Sequence, residues 1–192
     1  MYLLYLSANQ NLNIMDEIIK KNGIIYGIVS GLISILILTI IYCFDVTLFV
    51  STWITFLKVI VFVLLSILLI TKTKKQLNGN LNFKDTFTTY FIFAVVALLV
   101  TTIFEIILFN LIDPSLKDTL KELLTKAIIG FLEKFNTPAA QVNEAVRKIQ
   151  ENDQFSVFEL IKGYFSYLII SAIFGLILAA IFKSKSPSSQ GL

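Results

Sequence analysis

Four apolar stretches of similar length dominate the chain, and polar segments separate them. The stretches cover about 24–44, 48–71, 86–110 and 156–183. A helix needs about 20 predominantly apolar residues to cross the hydrocarbon core of a bilayer. The pattern therefore predicts an all-α integral membrane protein with four transmembrane helices, of which residues 23–112 would hold the first three.

The long polar segment 113–155 separates the third span from the fourth and is predicted to form an extracytoplasmic amphipathic helical hairpin. Asp113-Pro114-Ser115 is typical of a helix start, and Thr137-Pro138 begins a second helix after a break at Asn136. Such charged helices cannot span the bilayer. The hairpin either packs on the chain's own spans, lies on the membrane surface or fits the groove of a partner. The apolar positions at helical spacing are Leu116, Leu120, Leu124, Ala127, Phe131 and Phe135 in the first helix, and Ala139, Val142, Val146 and Ile149 in the second.

The two ends of the chain carry weaker signals. Residues 1–22 are predicted to be a cytoplasmic segment, since they lack the basic start and cleavage site of a signal peptide. Its first fourteen residues are either disordered or a consequence of start-codon choice, because Met15 opens a more ordinary beginning. Residues 184–192 have the composition of a disordered tail.

Small residues at a spacing of four mark two of the predicted spans. On a helix this spacing forms a groove in which another backbone can approach closely. We expect these positions to pack helices together and the first and fourth spans to be neighbours. The groove of the first span serves either packing within the chain or homodimerisation. The residues are Gly23, Gly27 and Gly31 in the first span and Ser171, Gly175 and Ala179 in the fourth.

The composition agrees with a membrane protein and removes several kinds of chemistry. The 192-residue chain is 56% hydrophobic and 15% charged, far from the soluble norm of roughly 45–50% and 25%. It contains no histidine and one cysteine, Cys43. An intramolecular disulfide, a Cys/His zinc site and a nucleophile with a histidine base are therefore excluded. Cys43 is interpreted as a small buried hydrophobe, and we predict no catalytic, cofactor-binding or metal-binding residues.

Two charged residues lie inside the predicted spans, where a charge is by default a functional hypothesis. Glu105 precedes Asn110 by five residues near the end of the third span, and Lys58 follows the interfacial anchor Trp53 by five in the second. Both would therefore lie at a similar depth, which makes them a candidate intramembrane ion pair. Alternatively, each reaches the interface without a partner, or Glu105 takes part in proton or cation translocation.

The distribution of charge favours both termini in the cytoplasm. With this orientation the inner segments hold eight lysines against three acids, and the outer segments hold six basic residues against eight acids. Basic residues in short loops concentrate on the cytoplasmic side of membrane proteins. The basic loop 72–85 would then face anionic lipid headgroups rather than nucleic acid.

Three stretches resemble a family of four-span bacterial proteins catalogued as domain of unknown function 4199. They are Tyr26–Leu32 at the start of the first span, Leu81–Phe87 before the third, and Asp113-Pro114 at the start of the polar segment. Their order and spacing carry the resemblance, which covers roughly 18–185. Asp85-Thr86 departs from the Gly-Lys-like residues usual in the family. The resemblance implies a bacterial inner-membrane location and supplies no activity, ligand or catalytic residue.

The sequence favours a non-enzymatic function. The spans offer few inward polar groups, which favours a membrane scaffold or accessory subunit that contacts a membrane-protein partner or a second copy of itself. The alternative is a small transporter or channel that uses Glu105. It would have to oligomerise, because four short helices leave little room for a pore. We expect the lipid bilayer as the main partner, no cofactor and no nucleic acid.

Overall fold

The computed structural model describes the backbone of residues 2–184 and the side chains of residues 14–184. Six α-helices follow one another in this part of the chain, which contains no strand. A 3₁₀ segment, Val46–Val50, joins α1 to α2, and a π-helical segment, Leu108–Ile112, extends α3. The helices are α1 Tyr2–Phe44, α2 Thr52–Gln76, α3 Phe83–Ile107, α4 Leu116–Lys134, α5 Ala139–Glu151 and α6 Val157–Phe182.

Four helices are long and apolar enough to cross a membrane, namely Ile14–Phe44, Thr52–Gln76, Phe83–Ile112 and Val157–Phe182. The predictions of an all-α membrane protein and of four spanning helices are confirmed. The first of these helices begins well before the predicted start near residue 24, because the charged residues that precede the apolar run are themselves good helix formers. Hydropathy identifies the apolar part of such a helix and not its end.

The ends of the chain differ from the sequence expectation in one respect. The backbone of α1 continues back to Tyr2, so the disorder expected for the first fourteen residues does not describe the backbone of residues 2–14. The predicted disordered tail, 184–192, lies outside the described residues except for Ser184.

Short side-chain caps set the boundaries around α2 and α3. The Asp45 carboxylate accepts a hydrogen bond from the Thr47 N–H at 2.9 Å, and the 3₁₀ segment that follows delays the second span from about residue 48 to Thr52. The chain leaves α2 through an Asn-Gly turn, with φ of 52° at Asn78 and 84° at Gly79. Asn82 Oδ1 accepts from the Asp85 N–H at 2.9 Å and thereby caps α3.

The chain divides into two compact units, each assembled from segments of several helices. Among the described residues, the first unit comprises the chain up to Gly31, Val61–Val100 and the residues from Ser166 onward. The second unit comprises Leu32–Ile60 and Thr101–Phe165. Each unit has a hydrophobic core of its own.

The core of the first unit surrounds Tyr90 of α3. The Tyr90 ring meets Phe62 of α2 edge-on, with 6.4 Å between the ring centroids, and lies 6.0 Å from Phe174 of α6. Aromatic and aliphatic side chains thus fill the space between the helices of this unit. Its buried residues are Ile19, Leu69, Ile70, Leu81, Tyr90, Phe93, Ala94 and Leu178.

The core of the second unit forms where the π-helical segment meets the start of α4. Leu108, Phe109, Leu116 and Leu120 are buried together. The Phe109 ring lies 5.9 Å from the Phe49 ring and 5.0 Å from the Phe155 ring between centroids. The first turns of α4 are therefore held against the 3₁₀ segment and the residues that precede α6. The partly buried residues around this core are Tyr42, Val46, Phe49, Phe104, Leu123, Phe155 and Leu160.

Helices α4 and α5 contact each other across a short break. Asn136 in the break adopts a left-handed backbone conformation with φ of 51°. The Gln150 side-chain amide of α5 donates to Thr125 Oγ1 of α4 at 3.0 Å, and Lys121 Nζ donates to the Gln150 carbonyl at 2.8 Å. Ile149 is buried while Val142 and Val146 are partly buried, so the apolar face of α5 is turned inward within this unit.

Candidate functional sites in the spanning helices

The glycines of α1 form a groove that side chains of α3 fill. A Cβ atom built at each glycine would lie 2.5–2.8 Å from a β-branched side chain, well inside the 3.5–4.0 Å at which carbon atoms ordinarily make contact. The groove therefore requires glycine and is occupied within the chain. The groove was predicted to serve either packing within the chain or homodimerisation, and this geometry provides packing within the chain. The facing pairs are Gly23 with Ile92, Gly27 with Val96 and Gly31 with Val100.

The small residues of α6 also pack against α3. The hydroxyl groups of Ser171 and Tyr90 lie 2.8 Å apart in a buried hydrogen bond, and a Cβ atom at Gly175 would lie 2.5 Å from Tyr90 Cδ1. Ala179 is fully buried. In these contacts, the small residues of both helices meet side chains of α3, and a neighbouring position of the first and fourth spans stays a prediction. Spacing indicates a groove but does not identify the helix that occupies it.

A buried polar cluster that the sequence pattern did not predict joins α1 to α2. Asn22 Nδ2 donates to Thr73 Oγ1 at 3.0 Å and to Gln76 Oε1 at 2.6 Å. Asn22 and Thr73 are buried, so each needs a partner in the low-dielectric interior. By hydropathy, Asn22 falls in the predicted terminal segment, and Thr73 and Gln76 fall in the predicted basic loop. Had the helices been extended to their true ends, Asn22 would have stood out as an asparagine inside a spanning helix.

Two lysines of the basic loop have partners inside the first unit. Lys74 Nζ donates to the carbonyl of Phe182, the last residue of α6, at 2.9 Å. A cation at a helix C-terminus is favoured by the free carbonyl groups and by the helix dipole. Lys72 Nζ lies 5.3 Å from the centroid of the Tyr26 ring, within the range of a cation–π contact. Lys74 therefore connects α2 to α6, and Lys72 connects α2 to α1.

The main-chain groups of Leu81 extend this connection to the end of α6. The Ser184 N–H donates to the Leu81 carbonyl at 2.8 Å, and the Leu81 N–H donates to Ser184 Oγ at 2.9 Å. The Ser184 hydroxyl also donates to the Gly79 carbonyl. The turn between α2 and α3 is thus bonded to the residues that follow α6.

Glu105 and Lys58 are both partly buried in the second unit. The charge of Lys58 acts on the Glu105 carboxyl. However, no ion pair among the described residues includes either side chain, so more than 4.0 Å separates their charged atoms. Thr102, one turn before the acid, is buried. The structure places the two charges in one region without a direct bond, and the intramembrane ion pair remains a prediction.

Asp85 holds the one buried side-chain oxygen, Oδ2, that lacks a hydrogen-bond partner among the described residues. It lies in the first turn of α3, where the free N–H groups and the helix dipole favour a negative charge. Asp16 and Lys84 are the charged residues that act on it. The position of Asp85 accounts for its charge without a ligand.

Polar bonds in the second unit connect the spanning helices to α4. Lys117 Nζ donates to Asn110 Oδ1 at 2.6 Å and pairs with Asp153 Oδ2 at 3.3 Å. The Tyr42 hydroxyl donates to Asp113 Oδ2 at 3.2 Å. These bonds fix α4 to the ends of α1 and of the third span.

Asp113 caps α4, since its Oδ1 atom accepts from the Leu116 N–H at 3.2 Å. It also accepts from the Ser115 hydroxyl at 2.5 Å. The pKa of Asp113 lies below its ordinary value. The hydrogen bond from Ser115 is the largest cause, and the bonds from Tyr42 and the main chain add to it. The predicted helix start is correct, and the capping side chain is Asp113.

Trp53 at the start of the second span and Cys43 near the end of the first are both exposed on the surface of the protein. Trp53 is 84% exposed, as expected for an interfacial anchor in contact with lipid. Cys43, near the end of α1, is also exposed, so its interpretation as a buried hydrophobe is wrong. The described residues contain no group of three or more His, Cys, Asp or Glu side chains arranged to hold a metal ion.

Comparison with known families adds one finding to this geometry. The family described as "Protein of unknown function (DUF4199)" matches residues 25–184. The chain belongs to this family. The match confirms the resemblance carried by the starts of the first and third spans and by Asp113-Pro114. No curated protein and no solved structure matches this DUF4199 chain significantly.

Proposed function

We propose that this DUF4199 chain is a non-enzymatic scaffold or accessory subunit of the bacterial inner membrane. Both termini lie in the cytoplasm, and α4 and α5 form a hairpin on the opposite side. The lysines support this orientation, since they lie before the apolar part of α1, in the last turns of α2 and in the first turn of α3.

The observation that carries the proposal is that the spanning helices bond their polar groups to one another. Asn22 bonds to α2, and Tyr90 bonds to Ser171. The glycine groove of α1 is filled by α3. Polar groups satisfied in this way stabilise a fixed helix arrangement, whereas a transport pathway needs polar groups that are free to meet a solute. The structural subunit is therefore the function that this packing supports best.

The alternative, a small oligomeric transporter or channel, is favoured by Glu105. Its carboxyl group lies inside a spanning helix and forms no ion pair with the side chains that the structure describes. Because such a charge is costly in hydrocarbon, it commonly marks an ion pathway. Four helices leave little room for a pore, so this function requires several copies of the chain.

Crosslinking in native membranes, followed by purification and mass spectrometry, distinguishes the two functions. A defined partner at fixed stoichiometry supports the scaffold. A homo-oligomer whose reconstituted liposomes conduct ions, with flux lost in Glu105→Gln, supports the transporter. A monomer without a partner or flux contradicts both.

Cysteine labelling tests the orientation separately, because Cys43 is the one cysteine of the chain. In a Cys43→Ser background, Thr119→Cys on α4 should react with a membrane-impermeant maleimide added to intact spheroplasts. Lys75→Cys at the end of α2 should react only after permeabilisation. Both positions are exposed, so the opposite pattern would reverse the topology.

A further inference from the structure

The apolar face of α4 is buried along its first half and exposed along its second. Leu116 and Leu120 are 4% and 1% exposed, whereas Phe131 and Phe135 are 58% and 68% exposed. All four lie on one face at helical spacing. We call the exposed half of this face the α4 stripe. It consists of Leu124, which is partly buried, and of the exposed residues Ala127, Phe131 and Phe135.

Helix α5 leaves the α4 stripe uncovered because it packs on another side of α4. The bonds from α5 reach Lys121 and Thr125. At 3.6 residues per turn, these two residues lie about 80° and 120° around the helix from Phe131. The Phe131 and Phe135 rings pack on each other, with 4.9 Å between centroids. Next to them, a Cβ atom built at Gly130 would meet nothing within 4 Å.

The buried half of the same face shows which way the stripe points. Leu116 and Leu120 pack in the core that includes Val46 and Phe49 of the 3₁₀ segment. This segment links α1 to α2 at the ends of two spanning helices. The apolar face of α4 therefore lies on the ends of the spans and is directed toward the membrane.

The start of α4 adjoins the end of the third span. Leu111 and Ile112, the last residues of the third span, are 74% and 57% exposed, as side chains in contact with hydrocarbon are. Leu116 begins α4 directly after the Asp113 cap. From Leu124 to Phe135 the helix extends about 16 Å at 1.5 Å per residue, past the residues that cover its first half.

We propose that the α4 stripe inserts into the headgroup layer of the membrane that the chain spans, with Phe131 and Phe135 as the anchors. Lipid is the expected occupant, because the α4 stripe lies on the same face of the helix as Leu116 and Leu120. These two leucines pack on the ends of the spanning helices. Lys134, about 60° from Phe131 around the helix, is exposed beside the stripe where it can meet lipid phosphates, whereas Glu133 is on the far side. Amphipathic helices with aromatic anchors bind membrane surfaces in this way.

Tryptophan quenching by brominated lipids tests the insertion in the full-length chain. Trp53 is the one tryptophan, so Trp53→Phe gives a background in which Phe131→Trp is the sole emitter. The protein is reconstituted in vesicles of phosphatidylcholine and phosphatidylglycerol with bromine near the headgroup end of the acyl chains. Insertion to the headgroup boundary predicts at least roughly twofold stronger quenching for Phe131→Trp than for the control Glu122→Trp. Glu122 is exposed about 180° away on the same helix.

Other occupants of the stripe give different results. Equal, weak quenching of the two tryptophans by bromolipid, with strong quenching of both by aqueous iodide, means that the stripe faces water and overturns the proposal. Protection of Phe131→Trp from both quenchers means that a protein covers it, and loss of that protection on dilution with lipid identifies a second copy. Either result overturns the proposal. Phe135→Trp repeats the measurement should Phe131→Trp fail to fold.

Discussion

The glycine groove of α1 and the α4 stripe are both periodic helix faces, but they differ in how far other parts of the protein cover them. In the first unit, α3 fills the groove so closely that a single added carbon at Gly27 would lie 2.7 Å from Val96 Cβ. In the second unit, the face of α4 is covered as far as Leu120 and then left open, with Phe135 68% exposed. One face is complementary to a neighbouring helix, and the other ends in two large rings that are both more than half exposed.

The difference shows which helix faces the fold itself requires. Small residues let backbones approach, and their benefit is realised only if a partner fills the groove. Large aromatic residues need an apolar surrounding but no particular partner shape, so lipid can provide it. A filled groove should therefore be intolerant of substitution, while an open face should tolerate changes of volume.

Gly27→Ala should produce the largest loss of stability. The added methyl group would meet Val96 Cβ at 2.7 Å and the main-chain oxygen of Phe93 at 2.9 Å. Because the backbone cannot move as a side chain can, the two helices must separate, at a cost of about 1–3 kcal/mol. Thermal unfolding in detergent measures the effect as a lower Tm.

Gly130→Ala is the matched control for this substitution. A methyl group at Gly130 meets no atom within 4 Å, and alanine is favoured over glycine inside a helix by roughly 0.5–1 kcal/mol. The same chemical change should therefore raise the Tm in α4. Equal effects of the two substitutions would contradict the distinction between a filled and an open face.

Tyr90→Phe should have the next largest effect, because it removes the hydroxyl that bonds to Ser171 at 2.8 Å. Both residues are buried, so the remaining hydroxyl loses its partner and stability falls by about 1–2 kcal/mol. Tyr167→Phe, at a position 63% exposed, should change little. A double-mutant cycle with Ser171→Ala separates the bond from the loss of packing, and additive effects would contradict the bond.

The sequence predicted the parts of this fold that depend on local pattern. The four apolar runs and the helix start at Asp113-Pro114 follow from hydropathy and from helix-start chemistry, which neighbouring residues decide. The buried cluster of Asn22 with Thr73 and Gln76 did not follow, because its members are more than fifty residues apart. The helix that fills each groove, and the exposure of Cys43, likewise depend on tertiary packing that spacing does not encode.

Glu105→Gln tests the predicted pairing of Glu105 with Lys58 in the second unit. If Lys58 stabilises the carboxylate in the membrane, the substitution should lower detergent stability by about 1 kcal/mol or less, as interhelical polar contacts commonly do. Lys58→Met should produce a similar loss, and the double variant should lose little more than either. No change in Tm, for Glu105→Gln alone or combined with Lys58→Met, would rule the pairing out.

The smallest expected effect is a dependence on pH at the junction between the third span and α4. The Ser115 hydroxyl and the Tyr42 hydroxyl bond to the Asp113 carboxylate and hold its pKa below the ordinary value, which is about 3.9 for an aspartate in an unfolded chain. A carboxyl whose pKa is lower in the folded state stabilises the protein above the unfolded pKa, and this stabilisation is lost as the pH falls through the folded value.

The Tm difference between the wild type and Asp113→Asn should therefore be present at neutral pH and shrink below about pH 4. Subtracting the variant removes the contribution of the other carboxylates, which both proteins share. In a Ser115→Ala background, Asp113→Asn should lower the Tm at neutral pH by less than it does in the wild type. The reason is that the Ser115 hydrogen bond is the largest cause of the lowered pKa of Asp113. A difference that grows on acidification would mean that Asp113 stabilises the junction as a neutral acid, and α4 would then be held to the spans by Lys117 and the buried leucines instead.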